Sequence, residues 1–398
     1  MLSNKIKPSL FVALFGASSG WALILGNSLI PAWLTSMNVD LTTIGMLGLV
    51  SLPYMFKFLW APIFDRYSFL RMPQVRGWLF CIHMVLATCS VCLSFMHNVN
   101  LYTLWPLLLV LGFFAASLDV VVDSHRASIS EVTLSQKNAL YVFCYRIAMM
   151  LSGVCLIFAD HFGWQASFLL VAFCFALGGI FTLGIPAQIS SEKSVSVPAF
   201  KAGWQDFLSR NHSMAILGFV LFYKIGIGFA LSMNTPFILR ELQFSLTDIG
   251  VIQKGLGFVA NMLGVFLGSL IINRITLPRS LYYFLIFETL AISQFAMMAW
   301  LPPSYAFLAF SVAVEQLTSG MATVALLSFI MQQANPLYKS AQLALLTSIM
   351  AFGRVLVAPF SGTVIDNFGW GTFYLLAILL SLPAFYFLRR LTVSENLV

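Results

Sequence analysis

Two carboxylates, Asp119 and Asp123, stand four residues apart in SLDVVVDSHR, after a run that is free of charge from Leu101 to Ser117. Positions i and i+4 of a helix share one face. The two acids would therefore titrate as a pair, with repulsion and burial both favouring a proton on one of them. A carboxyl that is neutral in one conformation and paired with a base in another can couple proton movement to a conformational change. Arg146, in the next apolar stretch, is the base expected to meet Asp119. At about 1.5 Å per residue, Arg146 lies roughly 12 Å and Asp119 roughly 7 Å from the same membrane face, on antiparallel neighbours. Asp123 sits closer to that face, where water competes with any role in coupling.

Other ions interrupt other apolar stretches: Lys57, Lys224, Lys254, Glu288, Glu315 and Arg354. Each costs about 2.5–3.5 kcal/mol at the centre of a span on insertion scales. Repeated so often, that cost argues for a water-filled cavity lined by these groups. Lys224, Lys254, Arg354 and Glu315 fall between the midplane and the outer third of their spans. The expectation is a mostly cationic patch suited to an anionic or amphipathic solute. Lys57 could bind an anion or pair internally, and Glu315 could touch substrate or join helices. Glu288 reads as an interhelical hydrogen-bonding residue.

The elements that must hold these groups follow from composition. The chain has 398 residues, 60% of them hydrophobic and only 9% charged, against roughly 25% charged in soluble domains. Long apolar stretches at about 20 residues per span leave room for roughly a dozen helices. Charges and Pro/Gly breaks place them near 9–35, 43–64, 77–96, 101–123, 138–159, 164–185, 212–239, 247–273, 280–301, 304–332, 341–365 and 370–388. The first is expected to be a retained helix, not a cleaved leader. The organisation is therefore an all-α membrane protein: a six-helix bundle over 1–186, a cytoplasmic linker over 187–211 and a second bundle over 212–398.

Alternate connections collect the bases, among them Lys5, Lys7, Arg66, Arg71, Arg76, Arg126 and Lys137, while Arg240 alone falls on the other side. By the positive-inside rule both termini are cytoplasmic. The net charge of +7 is a matter of topology and implies no nucleic-acid partner. The chain also repeats itself. Asp40-Leu41-Thr42-Thr43-Ile44-Gly45 returns as Ser245-Leu246-Thr247-Asp248-Ile249-Gly250, and Phe162-Gly163-Trp164 as Phe368-Gly369-Trp370. Two matches at nearly one offset indicate a parallel duplication, with a substrate site between the repeats near the midplane.

Enzyme signatures are missing. No G-x-x-x-x-G-K-[ST], G-x-S-x-G or H-E-x-x-H occurs, so neither ATP-driven transport nor hydrolysis gains support. All six cysteines (Cys81, Cys89, Cys92, Cys144, Cys155 and Cys174) lie in apolar stretches of the first half. Cys89 and Cys92 form a C-x-x-C without a second ligand pair and read as packing. Nothing implies a metal or a cofactor.

The chain resembles the AmpG-like muropeptide permeases of the major facilitator superfamily. The resemblance rests on Asp40 to Gly45, on Lys57-Phe58-Leu59-Trp60-Ala61-Pro62 through Asp65-Arg66-Tyr67, and on Arg76-Gly77-Trp78. It continues through Asp119, Asp123, Tyr145-Arg146, Ser152-Gly153 and Gly163-Trp164-Gln165. In the second half it takes in Tyr223-Lys224, Gly250-Val251, Lys254, Leu256-Gly257, Gln342, Gly353-Arg354-Val355 and Gly369-Trp370. It implies a monomeric twelve-helix carrier in the bacterial inner membrane, importing N-acetylglucosaminyl-anhydro-N-acetylmuramyl peptides with protons. It also adds Gln342 to Lys57, Lys224, Lys254, Glu315 and Arg354 as expected substrate contacts. Leu118, Ile227 and Trp21-Ala22 depart from the family pattern at positions expected to face the cavity. Import of a ferric siderophore, also bulky and anionic, stays open as the alternative, and a non-transporting sensor is the remote one.

Overall fold

A computed structural model describes residues 3–60, 63–64, 74–96, 100–128, 134–184 and 197–394. The Asp65-Arg66-Tyr67 block, Arg71 and linker residues 187–196 lie outside that description, as do the side chains of Lys5, Lys7, Asp123, Arg126 and Lys137.

Among the described residues nine helical segments are long and apolar enough to cross a membrane. In chain order the helices are α1 (Ser3–Ile24), α2 (Ile30–Ser36), α3 (Leu41–Met46), α4 (Leu52–Phe56), α5 (Gln74–Ser94), α6 (Leu101–Ser128) and α7 (Leu134–Thr182). They continue as α8 (Val197–Leu208), α9 (Ser213–Tyr223), α10 (Ile225–Ser232), α11 (Leu246–Asp248), α12 (Gly257–Ile275), α13 (Leu277–Met298), α14 (Tyr305–Gln333) and α15 (Lys339–Ser394).

Two apolar segments, Phe143–Thr182 and Leu345–Leu391, run to 40 and 47 residues. A bilayer core takes about 20 helical residues, so neither can cross once as a single rod. Each breaks at a glycine of the repeated Phe-Gly-Trp: Gly163 with φ 83° and Gly369 with φ 77°. A side chain disfavours that conformation, so glycine fits both places. Ser167 Oγ donates to the Cys155 carbonyl at 2.9 Å, joining the limbs on either side of Gly163. These breaks, with the shorter apolar helix Leu41–Phe56, are consistent with the twelve expected spans.

The chain forms two units, each discontinuous in sequence. Unit 1 holds Met1–Val39, Val50–Ser194 and Ser245–Gly250; unit 2 holds Asp40–Leu49, Val195–Phe244 and Val251–Val398. In unit 1, α1 and α5 pack on α7, and α5 on α6. His83, 1% exposed, is hydrogen-bonded to the Leu79 carbonyl at 2.7 Å and to Ser18 Oγ at 2.9 Å, joining α5 to α1. In unit 2, α9 and α10 pack on α15, and α12 and α13 on α14. Its core gathers Phe207, Phe219, Tyr223, Phe284, Leu326 and Phe329. Phe207 belongs to α8, so part of the expected linker is a helix seated in that core.

Each unit takes in one short segment carrying the Leu-Thr-x-Ile-Gly repeat. In unit 2, Thr42 Oγ1 donates to Asp366 Oδ2 at 3.1 Å. In unit 1, the backbone N–H and hydroxyl of Thr247 donate to Asp160 Oδ2 at 3.1 and 2.5 Å. Both segments start with a capped turn. Asp40 accepts from the Thr43 N–H at 2.7 Å, and Ser245 and Asp248 form a reciprocal capping box.

Candidate functional site

In unit 1 the ionised groups meet at the end of α4. The chain leaves α4 through the 3-10 turn Lys57–Leu59, which points Lys57 at α6. There Lys57 Nζ donates to Asp119 Oδ2 in an ion pair, with the two side chains 33% and 25% exposed. Trp60 Nε1 donates to Ser117 Oγ at 3.1 Å, and its ring lies 4.9 Å from that of Phe113, holding the turn against the helix. Tyr54, Tyr141 and Tyr145 lie within electrostatic range of this carboxylate or of one another, and the last two stack at 6.3 Å. The acid expected to meet Arg146 is thus held by Lys57, a residue 62 positions away in sequence. Arg146 itself is half-buried on α7.

Tyr54, within electrostatic range of Asp119, also lines a small cleft with Asn27, Ser51, Gly26 and Gly112. Asn27 belongs to the π-helical stretch Leu25–Leu29 that separates α1 from α2. Such single widened turns gather at functional sites. Sequence periodicity carries no sign of the widening, although an asparagine within an apolar run was a visible signal.

In unit 2 a denser cluster forms. Lys224 occupies the break between α9 and α10, with φ −110° and ψ 3°. Its Nζ donates to Glu288 Oε1 at 2.5 Å and to the Ser319 carbonyl at 3.3 Å. Glu288 is 2% exposed and Glu315 1% exposed, and both acids, with Lys224 and Lys254, act on one another electrostatically. Lys254 comes from the π-helical stretch Ile249–Leu256. Two lysines and two glutamates thus meet in this group, so the bases expected here as a mostly cationic patch stand beside acids, Glu288 among them. The physical reason is the cost of burial: an unpaired ammonium at that depth would need an acid, and Glu288 supplies it. Glu288 therefore does join helices, through an ion pair. Arg354 is exposed, and its aliphatic stem lies over Gly228, 2.9 Å from where a Cβ would stand.

Gln342 has a different task from the one expected. It is fully buried, and its Nε2 donates to Asp206 Oδ2 at 2.7 Å and to the Gly203 carbonyl at 3.0 Å. Its Oε1 accepts from Arg210 Nη2 at 3.1 Å and from the Asn335 N–H at 2.8 Å. An amide whose two donors and two acceptor positions are all engaged has nothing left to offer a substrate. Gln342 clamps α8 and the end of α14 to the start of α15. Asp206, at the centre of the clamp, is held below the usual carboxylate range, first by Arg210 and then by Gln342 and Asn335.

Among the described residues no group of three His, Cys, Asp or Glu side chains is placed to hold a metal. The six cysteines are free thiols.

A helical membrane chain with broken spans and buried ion pairs has the form of a carrier, and its kinship decides which. The family description of the Major Facilitator Superfamily matches residues 10–287. The chain belongs to that superfamily. Within it, the chain is an AmpG-like member. It is 32% identical over 386 residues to the Anhydromuropeptide permease of Escherichia coli (strain K12), covering 94% of this chain and 78% of that one. A transporter designated AmpG 4 in Rickettsia conorii (strain ATCC VR-613 / Malish 7) is 27% identical, covering 97% and 96% of the two chains. The nucleoside transporter NupG shares the fold with a TM-score of 0.71 at 14% identity, covering 97% of this chain and 98% of that one. A bacterial homolog of the human lysosomal transporter Spinster matches with a TM-score of 0.73 at 12% identity, covering 96% of each chain. The AmpG-like chain is accordingly a multi-pass membrane transporter of a small solute and not an enzyme.

Proposed function

We propose that this transporter imports N-acetylglucosaminyl-anhydro-N-acetylmuramyl peptides across the bacterial inner membrane, as a monomer driven by protons, with both termini in the cytoplasm. The observation that carries this reading is the 32% identity to the Escherichia coli Anhydromuropeptide permease over 94% of the chain. The distribution of basic loop residues supports the orientation, and the repeat of Leu-Thr-x-Ile-Gly and Phe-Gly-Trp supports two six-helix bundles, proposed over 1–186 and 212–398 with a linker at 187–211, that alternate access.

Asp119 is the proton-responsive acid of this reading, with Lys57 its partner in the conformation described. Protonation would release Lys57, and Arg146 and Asp123 on the same helical pair would respond to the changed charge. Lys254 and Arg354 are the side chains proposed to meet the peptide part of the cargo.

Uptake into proteoliposomes tests the proposal. Labelled anhydro-muropeptide should accumulate under an inward-directed proton gradient, and a ferric siderophore offered in parallel should not. Siderophore uptake without muropeptide uptake would reverse the cargo assignment. Asp119→Asn should lose gradient-driven accumulation; an unchanged dependence on the gradient removes Asp119 from the coupling.

A further inference from the structure

Glu315 is a buried acid whose surroundings do not suit an ion. It sits on α14 at 1% exposure. Its Oε2 accepts from Gln316 Nε2 at 2.8 Å, but its Oε1 is buried without a hydrogen-bond partner. Three charged groups face it: Lys224 from the α9–α10 break, Glu288 from α13 and Lys254 from the π-helical stretch. Lys224 is already committed to Glu288 at 2.5 Å and to the Ser319 carbonyl at 3.3 Å. Glu288 can only repel a second anion. Lys254 acts on Glu315 through its charge, and no direct ion pair joins the two. Next to Lys254, Gln253 Oε1 is a second buried acceptor with no donor.

The site thus has two buried acceptor oxygens that no donor reaches, with Lys254 acting on Glu315 by its charge and bonded to neither oxygen. An ionised carboxylate with one bare oxygen is heavily penalised in a low-dielectric interior. A proton on Glu315 removes the charge and adds the missing donor.

We propose that Glu315 is a proton-binding site of unit 2, coupled by Lys254 to the anionic part of the cargo. When Glu315 is ionised, the charge of Lys254 is directed at the carboxylate. When Glu315 is protonated, Lys254 is free to meet an incoming anion such as a peptide carboxylate. Linkage requires the converse: an anion at Lys254 cancels the lysine's pull and tightens the proton's hold on Glu315. Proton and anion then bind together and leave together, as symport of an anionic solute demands. The proton comes from a hydronium ion of the solvent: one of its O–H bonds breaks, leaving water, as one O–H bond forms on the carboxyl, and no bond between heavy atoms changes. The coupling half of this proposal rests on the reading of the cargo as an anionic muropeptide; the proton site itself does not.

Infrared spectroscopy of the purified transporter, without cargo, tests the site directly. At neutral pH the wild type should show the carbonyl band of a protonated carboxylic acid, and Glu315→Gln should lose it. The glutamine keeps the shape of the side chain and can still accept from Gln316. Should that variant not fold, Glu315→Asp should shift the band. A band untouched by substitution at this position, or no such band in the wild type, overturns the proposal.

A second arm tests the coupling with labelled N-acetylglucosaminyl-anhydro-N-acetylmuramyl tripeptide. Wild-type binding should take up protons and weaken as pH rises, whereas Glu315→Gln should bind without proton uptake and equilibrate its cargo without accumulating it. If the wild type ignores this glycopeptide, the cargo reading falls and the infrared result still decides the proton site. If the wild type accumulates it and Glu315→Gln does so equally, the coupling falls while the cargo reading stands.

Discussion

Asp160 holds Thr247 twice, accepting its backbone N–H at 3.1 Å and its hydroxyl at 2.5 Å. Thr247 is the second residue of a helical run that begins at Leu246, where amide donors lack intrahelical partners and the helix dipole favours an anion. Asp366 stands in the same relation to Thr42 at 3.1 Å, Thr42 being the second residue of α3. Both acids lead into Phe-Gly-Trp, and both threonines sit in Leu-Thr-x-Ile-Gly. The two motifs found twice in the sequence are therefore ligands of one another, each threonine bound by the aspartate of the opposite copy.

Asp160→Ala should destabilise the protein more than Thr247→Val. The first change removes both donors' acceptor, and hydrogen bonds to charged groups contribute about 1.5–3 kcal/mol, against roughly 1 kcal/mol for a neutral one. The double variant should melt close to Asp160→Ala alone in detergent. Strictly additive losses would mean that the two residues do not act together.

Lys57 and Asp119 should couple by about 1–3 kcal/mol in a double-mutant cycle, as expected for contacting partners. Lys57→Met and Asp119→Asn each remove one side of this partly buried ion pair, and combining them should recover part of the lost stability. Denaturant titration in mixed micelles reads the difference. No recovery would show that the pair contributes nothing to folding.

For Lys224 and Glu288 the same experiment should give a larger effect. Glu288 is 2% exposed, and removing one partner of a buried pair costs about 3–5 kcal/mol. Glu288→Gln should therefore express poorly, and Lys224→Met introduced beside it should restore folded protein on size-exclusion chromatography. A well-folded Glu288→Gln single variant would contradict the buried ion pair.

Acid should loosen the clamp at Asp206. Its carboxyl is held below its ordinary value of 3.8 by Arg210, Gln342 and Asn335. A depressed folded-state value stabilises the fold above the unfolded value and is lost as pH falls through the folded one. Melting temperature followed from pH 6 down to about pH 3, through the unfolded carboxylate value, should fall more steeply for the wild type than for Asp206→Asn. Parallel curves would remove Asp206 from the acid response.

Much of this was legible in the residues themselves. Ions inside apolar runs marked Lys57, Asp119, Lys224, Glu288 and Glu315, because so costly a placement needs a compensating environment. The Phe-Gly-Trp repeat marked the two helix breaks, where a positive φ selects glycine. The partners were not legible. Adjacent antiparallel helices, which suggest Arg146 for Asp119, are a proximity a sequence displays, whereas Lys57 reaches Asp119 by a turn whose direction depends on tertiary packing. Gln342 entered as a substrate contact through the family resemblance alone, and a resemblance does not show that its amide is spent on Asp206, Gly203, Arg210 and Asn335. His83 carries no such mark in the sequence; in the structure both ring nitrogens are engaged, tying α5 to α1.

The crosswise binding of the repeated motifs bears on how such a chain arose. Each copy of the threonine motif is held by the aspartate of the other copy, so an exchange of this kind between two half-length chains would satisfy both motifs at once. Gene fusion would then have inherited that exchange, leaving each copy of the motif free to diverge, as Ser245 has from Asp40.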